Sequence, residues 1–254
     1  MAPAGMKKRF VRCESLSHNQ DALPTFECKN IMSAPIKFAS TVTDPKLVEE
    51  RRTQILGAAI KLFSDKGYYR TTILDIAKTA GISSGLIYQY FSEKEDVLCF
   101  ALLHVVDTYE REIPTRIAGA KDPVDRLCQS VEAYCTIVDN LRDATLLAYR
   151  STKSLSPAGR KHVMAGEQRS NQIILGCINE CIDGGYFREV NSDLLVYQFV
   201  MYCHTWALKY WAFRDKYTLK QYVDEGLKLL VEPYLTPRKG RGAFRKRQET
   251  AVVD

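Results

Sequence analysis

The sequence predicts an all-α protein in which an N-terminal three-helix domain is joined to a larger C-terminal helical bundle. Apolar residues recur at helical spacing from residue 44 to about residue 235, and caps and glycines separate the successive runs. No stretch shows the alternation of polar and apolar residues that a sheet would require. An apolar share of 46% in 254 residues is ordinary for a soluble globular chain and allows a substantial core.

The first two predicted helices have clear start and stop signals. Asp44-Pro45 is a cap followed by a first-turn proline, and Gly67 ends the helix that follows. Thr72 is a natural N-cap for a shorter helix, which ends sharply at Gly81 because glycine can adopt the positive φ that this requires.

A third helix, only about two turns long, must follow at once. Ser83 or Ser84 can cap it, and residues 88–90 give it polar, hydrogen-bonding tips. Two short helices joined by a tight turn are typical of a helix-turn-helix motif, whose second helix enters the DNA major groove. Ser92 and Glu95 then form a predicted capping box at the start of the next helix.

Later segments remain helical. The fourth predicted helix runs from Glu93 to about Ile117 and is a candidate mechanical lever between the two domains. Residues 192–215 predict a helix that is apolar nearly all round and must therefore be covered on two sides.

Composition divides the chain into four predicted segments. Residues 1–42 have no regular period and predict a poorly ordered extension, in which Met32 is an alternative start. Residues 43–92 form the predicted helix-turn-helix domain, and residues 93–235 form the larger helical bundle. Residues 236–254 carry six Lys/Arg and two Asp/Glu and predict a basic disordered tail.

The net charge of +6 is concentrated at the chain ends. Residues 41–235 contain 24 Lys/Arg and 25 Asp/Glu, so a DNA-binding surface there must come from local placement of basic residues. No apolar stretch approaches the ~20 residues of a membrane span, and no signal peptide is evident. The sequence therefore predicts a cytoplasmic protein without a membrane partner.

A dense set of residues in the helix-turn-helix segment matches a known family. The matching residues are Thr71-Thr72, Ile76-Ala77, Ala80-Gly81-Ile82-Ser83, Gly85, Ile87-Tyr88, Tyr90-Phe91, Lys94-Glu95 and Leu98. They resemble the TetR-type transcriptional repressors. The resemblance implies a non-enzymatic regulator that binds double-stranded operator DNA as a homodimer and responds to a small-molecule effector. It also implies that residues 93–235 form the effector-binding and dimerisation domain.

The resemblance also implies individual roles. Thr72 and Lys94 would contact phosphates, where hydroxyl and ammonium groups set the register on the duplex. Gln89 could read adenine, and Leu86 could touch a thymine methyl. For Tyr90, core packing is an open alternative. The complete set of expected DNA-facing residues is Thr72, Ser83, Ser84, Leu86, Tyr88, Gln89, Tyr90 and Lys94.

Aromatic residues on the later helices could surround an effector cavity. The candidate ligand-binding residues are Tyr134, Tyr149, Arg150, Asn171, Tyr197, His204 and Trp206. Residues 146–151 and the helix after Pro157 resemble the branch of TetR-type repressors that respond to acyl-CoA thioesters. This resemblance implies that Arg150 meets the polar part of such a ligand. The predicted dimer forms through residues 192–214 and 218–235, and no cofactor other than the effector is expected.

Two alternative functions arise from short patterns. Gly81, Ser83 and Gly85 spell the nucleophile elbow of serine hydrolases, but that elbow needs a strand where this sequence predicts a helix. Cysteine pairs at 128/135 and 177/181 could indicate a redox or metal sensor. No histidine or carboxylate completes a ligand set by spacing, so buried reduced thiols and no metal site are the preferred interpretation.

Overall fold

Helices with short connections make up almost all of the computed structural model, which describes residue 38 and residues 40–250. The rest of the predicted extension over residues 1–42 lies outside the described residues. The α-helices are α1 (Pro45–Lys66), α2 (Ile73–Ala80), α3 (Ser84–Ile87), α4 (Lys94–Ile117), α5 (Pro123–Asn140), α6 (Arg142–Ser151), α7 (Pro157–Asp183), α8 (Ser192–Leu208), α9 (Tyr210–Phe213), α10 (Leu219–Leu230) and α11 (Lys239–Thr250). The described residues contain no strand, only an isolated bridge between Phe187 and Leu235, and the all-α prediction is confirmed.

The predicted caps of the first three helices are confirmed. The Asp44 carboxylate accepts backbone N–H groups at the start of α1, and Thr72 forms a capping box with Asp75 at the start of α2. Gly81 has a φ of 69°, in the left-handed region, and the Ser83 hydroxyl caps α3. These local signals set the angle between α2 and α3.

The capping box of α4 differs from the predicted pair of Ser92 and Glu95. Glu93 is the N-cap, and its reciprocal partner is Asp96. The Asp96 carboxylate reaches back to the backbone N–H groups of both Ser92 and Glu93, at 2.9 and 3.2 Å. Glu95 is therefore available to bond elsewhere.

The apolar helix predicted over residues 192–215 is broken. α8 ends at Leu208, and Lys209 has a φ of −121° and a ψ of 23° before α9 begins. Beyond the break, the ring of Tyr210 packs edge-on against buried Trp206, at 5.6 Å between centroids. The chain thus keeps its aromatic packing although the helix is interrupted.

Within the tail predicted to be disordered, residues 239–250 form helix α11 instead, and residues 251–254 lie outside the described residues. α11 lies against α5, where the Arg247 guanidinium forms ion pairs with the carboxylates of Asp125, at 3.0 Å, and Glu132. Phe244 on the same helix is buried. Two carboxylate partners and a buried ring anchor this basic segment, and none of these contacts is local in sequence.

Two hydrophobic cores meet along α4. The first core is built mainly from α1 to α4, and it also contains Leu147, Leu155 and Val163 from the α6–α7 region. The second core is built mainly from α5, α7, α8 and α10. On α4, Leu102 belongs to the first core and Val105, one turn later, belongs to the second. A movement of α4 therefore affects both cores.

Candidate functional site

The short helix α3 presents polar groups to solvent and an apolar side to the protein. Tyr88 is 55% exposed, Ser83 and Gln89 are exposed, and Ile87 is fully buried. The other expected DNA-facing residues of this region are exposed Thr72 and half-buried Ser84 and Leu86. This arrangement is that of a recognition helix anchored from behind.

Two predicted DNA-facing residues have structural roles. Tyr90 is only 2% exposed and lies in the first core, so the prediction that it faces DNA is wrong. The Lys94 ammonium donates to the backbone carbonyls of Tyr68 and Thr71, at 3.0 and 2.9 Å. It also lies over the Tyr68 ring. Two of the three N–H groups of the Lys94 ammonium are therefore bonded within the protein.

A cavity of about 330 Å³ lies between α4, α6 and α7. Its walls are mainly apolar, and buried His204 of α8 contributes to them. The lining residues are Leu102, Val105, Val106, Tyr109, Tyr134, Thr145, Ala148, Tyr149, Thr152, Lys153, Val163, Met164, Glu167 and His204. Because Leu102 and Val105 both line it, the cavity lies where the two cores meet.

A chain of polar groups runs along the cavity wall. The imidazole of His204 is bonded on both sides, with Nε2 at 3.1 Å from the Tyr134 hydroxyl and Nδ1 at 2.8 Å from the Tyr149 hydroxyl. Burial lowers the pKa of His204 to about 4, so the ring is neutral near pH 7. A neutral ring has one donor and one acceptor nitrogen, so one tyrosine donates to it and the other accepts.

Two further hydroxyls of the lining lack a hydrogen-bond partner within bonding geometry. These are the hydroxyls of Tyr109 and Thr145, which are both buried. The Tyr109 ring stacks on the ring of Tyr134, with 4.1 Å between centroids. The Thr145 hydroxyl nevertheless partly offsets the rise in the pKa of Tyr109 that burial causes, so the two hydroxyls are neighbours in the cavity wall.

The charged residues of the lining are Lys153 and Glu167, and both are exposed to solvent. Partial desolvation beside the apolar wall raises the pKa of the Glu167 carboxyl, although the residue as a whole is exposed. A ligand that enters here meets these charges at the cavity opening and apolar walls further in.

Of the seven predicted ligand-binding residues, Tyr134, Tyr149 and His204 line the cavity. Asn171 does not line it, although it is buried and both of its side-chain amide atoms lack a partner. It lies one turn beyond Glu167 on α7, past the edge of the cavity.

The other three predicted positions are wrong for this cavity. Arg150 is exposed and outside the lining, because the residue after Tyr149 on a helix points away from it. Tyr197 is 48% exposed on α8, two turns before His204. Trp206 is buried elsewhere, and its indole N–H donates to the Asp139 carboxylate at 2.8 Å.

Direct contacts connect the cavity wall to the helix-turn-helix domain. The Glu95 carboxylate of α4 accepts the backbone N–H of Ser156, the N-cap of α7, at 2.7 Å. The Ser154 hydroxyl donates to the Tyr69 hydroxyl at 3.2 Å. Both contacts are made by residues that closely follow Lys153, which lines the cavity.

Residues 55–98 match the family described as "Bacterial regulatory proteins, tetR family", and residues 120–211 match "Tetracyclin repressor-like, C-terminal domain". The HTH-type transcriptional regulator HbdR of Aromatoleum sp. (strain CIB) is 57% identical over 215 residues, which are 85% of this chain and 93% of that protein. The chain belongs to the TetR family of bacterial regulatory proteins.

Other TetR-family proteins are similar at lower identity. The HTH-type transcriptional repressor KstR2 of Mycobacterium tuberculosis (strain ATCC 25618 / H37Rv) is 26% identical over 165 residues, covering 65% of this chain and 82% of that protein. The crystal structure of AibR in complex with isovaleryl coenzyme A and operator DNA has a TM-score of 0.62 at 20% identity. The match covers 71% of this chain and 97% of AibR, and it shows that the two share a fold.

Membership of the TetR family makes the chain a DNA-binding transcriptional regulator, as the helix-turn-helix pattern predicts. The serine of the Gly81–Gly85 pattern follows helix α2 and caps α3, so the strand that a nucleophile elbow needs is absent from this segment. The hydrolase alternative is not supported.

The cysteines of the described residues do not favour the sensor alternative. All six are buried. Burial raises the pKa of Cys99 and Cys177 to about 11 and that of Cys128 to about 12. Within residues 40–250 no group of three His, Cys, Asp or Glu side chains could hold a metal ion. Among the helices of the same region, none has the length and apolar character to cross a membrane.

Proposed function

We propose that this TetR-family regulator represses transcription by binding a palindromic operator as a homodimer, and that a coenzyme A thioester of an acyl or aryl acid releases it. Another small apolar molecule is the alternative effector. The observation that carries the proposal is the position of the cavity: its walls come from both cores, so filling it acts on α4.

Within the DNA interface, α3 would enter the major groove. Tyr88 would bind a phosphate through its hydroxyl, whereas Gln89 would read a base edge. We expect Tyr88→Phe to weaken binding similarly for all sequences, and Gln89→Ala to change the base preference at one position of each half-site. Titration of both variants against single-base operator variants tests this. An unchanged profile for Gln89→Ala would contradict the assignment.

An apolar stripe on α8 supports the homodimer. Leu194, Tyr197 and Met201 are 66%, 48% and 44% exposed and lie on one side of the helix, at i, i+3 and i+7. Two-fold symmetry would place two recognition helices at half-sites one duplex turn apart, about 34–36 Å. Light scattering at micromolar concentration should give a dimer. A monomer that binds a palindrome with undiminished affinity would contradict the proposal.

The volume of the cavity limits which part of the effector it can hold. About 330 Å³ accommodates an acyl chain or one aromatic ring but not coenzyme A as well. The coenzyme A portion would extend outside, past Lys153, which takes the place of Arg150 as the cation near the opening. The AibR complex with isovaleryl coenzyme A supports this ligand class.

Release would follow from linkage between the two sites. A ligand shifts an equilibrium only by its differential affinity for the two states. Moving the protein from mostly DNA-competent to mostly incompetent requires a preference of ~10⁴, or about 5.5 kcal/mol. A ligand that fills the cavity would displace α4 and change the separation of the two recognition helices.

The experiment combines native mass spectrometry of co-purified ligand with a panel of acyl- and aryl-CoA thioesters tested for operator release. We expect a thioester to bind and release the operator, and its free acid to do neither. Ala148→Phe, which places a ring in the cavity, should weaken thioester binding and, because the ring fills the same volume, should also lower operator affinity without effector. If free acids or unrelated lipophiles release DNA and no thioester does, the thioester assignment fails.

A further inference from the structure

We propose that the N-terminal segment, by which we mean residue 38 and residues 40–42 before α1, contributes to DNA recognition because it holds the end of the recognition helix in place. In this arrangement Arg52 is a positioning residue that acts through Gln89. The inference rests on the proposed role of Gln89 in reading a base.

The recognition helix cannot hold its own position. α3 contains a single turn, Ser84–Ile87, and the chain continues as a turn through residues 88–90. One turn of helix is not stable alone, and the carbonyl groups at its end need partners from elsewhere. In this protein, those of Gln89 and Tyr90 receive donors from outside the helix-turn-helix motif.

Arg52 of α1 supplies one of these donors. Its Nη2 atom donates to the carbonyl of Tyr90 at 3.2 Å and to the carbonyl of Phe38 at 2.8 Å. The guanidinium lies 5.7, 5.4 and 5.9 Å from the ring centroids of Phe38, Phe91 and Phe100. These cation–π contacts hold Arg52 in a geometry that bridges the segment and the recognition helix.

Thr41 supplies the other donor. Its backbone N–H donates to the carbonyl of Gln89 at 2.9 Å. The Ser40 hydroxyl bonds to both backbone groups of Val42, at 3.1 Å each, which fixes the local turn. Two consecutive carbonyls are thus held from outside the motif, that of Gln89 by the N–H of Thr41 and that of Tyr90 by Arg52 of α1.

This geometry predicts which property of DNA binding changes when the segment is loosened. The backbone of Gln89 sets where its side chain meets a base edge, and a bidentate contact depends strongly on geometry. Phosphate contacts elsewhere on the domain do not depend on this backbone. Loss of the support should therefore lower base discrimination more than non-specific affinity.

The test uses Arg52→Lys, which keeps the charge but cannot reproduce the guanidinium bridge, and Phe38→Ala, which removes one ring around it. Arg51→Lys is the matched control, because the Arg51 guanidinium bonds to Gln54 on its own helix. Full-length variants are titrated against the operator, single-base operator variants and non-specific DNA, with melting temperature as a measure of folding.

We expect Arg52→Lys and Phe38→Ala to reduce the preference for one base over the others, at the base pair that Gln89 reads, by about five-fold or more. Five-fold is the lower end of the range for loss of a bidentate base contact. Non-specific affinity should change less than about two-fold. In a Gln89→Ala background, neither substitution should reduce discrimination further.

An unchanged base preference in both variants, or a further loss in the Gln89→Ala background, overturns the inference. If Gln89→Ala alone leaves the profile unchanged, the proposed base contact fails first and the inference fails with it. If Arg52→Lys does not fold, Phe38→Ala decides, because the Phe38 side chain is only half-buried.

Discussion

The carboxylate of Glu95 accepts a hydrogen bond from the backbone N–H of Ser156, at 2.7 Å. This bond joins the first turn of α4, which follows the recognition helix closely, to the start of α7. Both helices line the cavity between α4, α6 and α7, with Val105 on α4 and Val163 on α7. We therefore predict that the Glu95–Ser156 bond transmits a change at the cavity to the helix-turn-helix domain.

Glu95→Ala should weaken the coupling between effector and operator without abolishing either binding event. Hydrogen bonds to charged groups contribute about 1.5–3 kcal/mol, similar to typical allosteric coupling. We expect the effector-induced loss of operator affinity to fall by about five-fold or more, measured by DNA titration with and without effector. Glu95→Gln, which keeps an acceptor oxygen, is the control. Equal coupling in wild type and Glu95→Ala would exclude this route.

Buried His204 should make stability depend on pH. The unfolded chain takes up a proton as the pH falls through about 6.5, whereas burial keeps the folded ring neutral down to about pH 4. The stability that depends on neutral His204 is therefore fully present above pH 6.5 and is lost as the pH falls towards 4, by about 3 kcal/mol at most. Urea unfolding at several pH values measures this change in the free energy of unfolding.

His204→Gln should flatten this pH dependence, because glutamine keeps hydrogen-bonding atoms but does not titrate. His162→Gln is the control, because the His162 ring bonds only to the carbonyl of Ala158 on its own helix. Identical pH dependence in His204→Gln and wild type would show that His204 is protonated similarly in both states.

Gly226→Ala should destabilise the C-terminal core. Tyr202 on α8 and Tyr222 on α10 each donate a hydroxyl to the other's carbonyl, at 2.5 and 2.7 Å, and their rings stack. A Cβ atom at Gly226 would overlap the Tyr202 ring. Overpacking of this kind costs about 1–3 kcal/mol. Gly176→Ala, where the Cβ meets open space, should instead stabilise by about 0.5–1 kcal/mol. Denaturant unfolding gives the free energy of unfolding of both variants. Similar changes in Gly226→Ala and Gly176→Ala would contradict this packing.

The buried thiols should be inert in the native protein. Burial raises the pKa of Cys128 to about 12, so almost no thiolate is present at pH 8. We substitute Cys13 and Cys28, which lie outside the described residues, by serine. Native protein should then react with a thiol reagent only on unfolding, and mild peroxide should leave operator affinity unchanged. Rapid reaction of a native thiol, with altered DNA binding, would restore the redox-sensor alternative.

Signals that are local in sequence predicted the fold well. The caps at Asp44, Thr72 and Ser83 bond to backbone within three residues, and the positive φ of Gly81 depends on its own lack of a side chain. The α-helical class and the position of the recognition helix follow from such signals. This part of the structure could be predicted from the sequence.

Features that depend on distant contacts could not be predicted in the same way. Arg247 lies 122 residues from its partner Asp125, so the charge of the tail gave no indication that α11 forms. The segment before α1 bonds to the recognition helix through backbone groups, which have no sequence signal. In the cavity, helical spacing could have indicated Tyr109, which lies seven residues after Leu102 on the buried side of α4.

The position of the cavity also has a consequence for how the protein unfolds. On α4, Leu102 of the first core and Val105 of the second core both face the cavity. Without a ligand, no side chain fills that volume, and we expect the two regions to melt as separate units. A bound acyl or aryl group would supply the missing contacts and merge them into one transition. Calorimetry should therefore show two overlapping peaks for the free protein and a single, later peak for the liganded one.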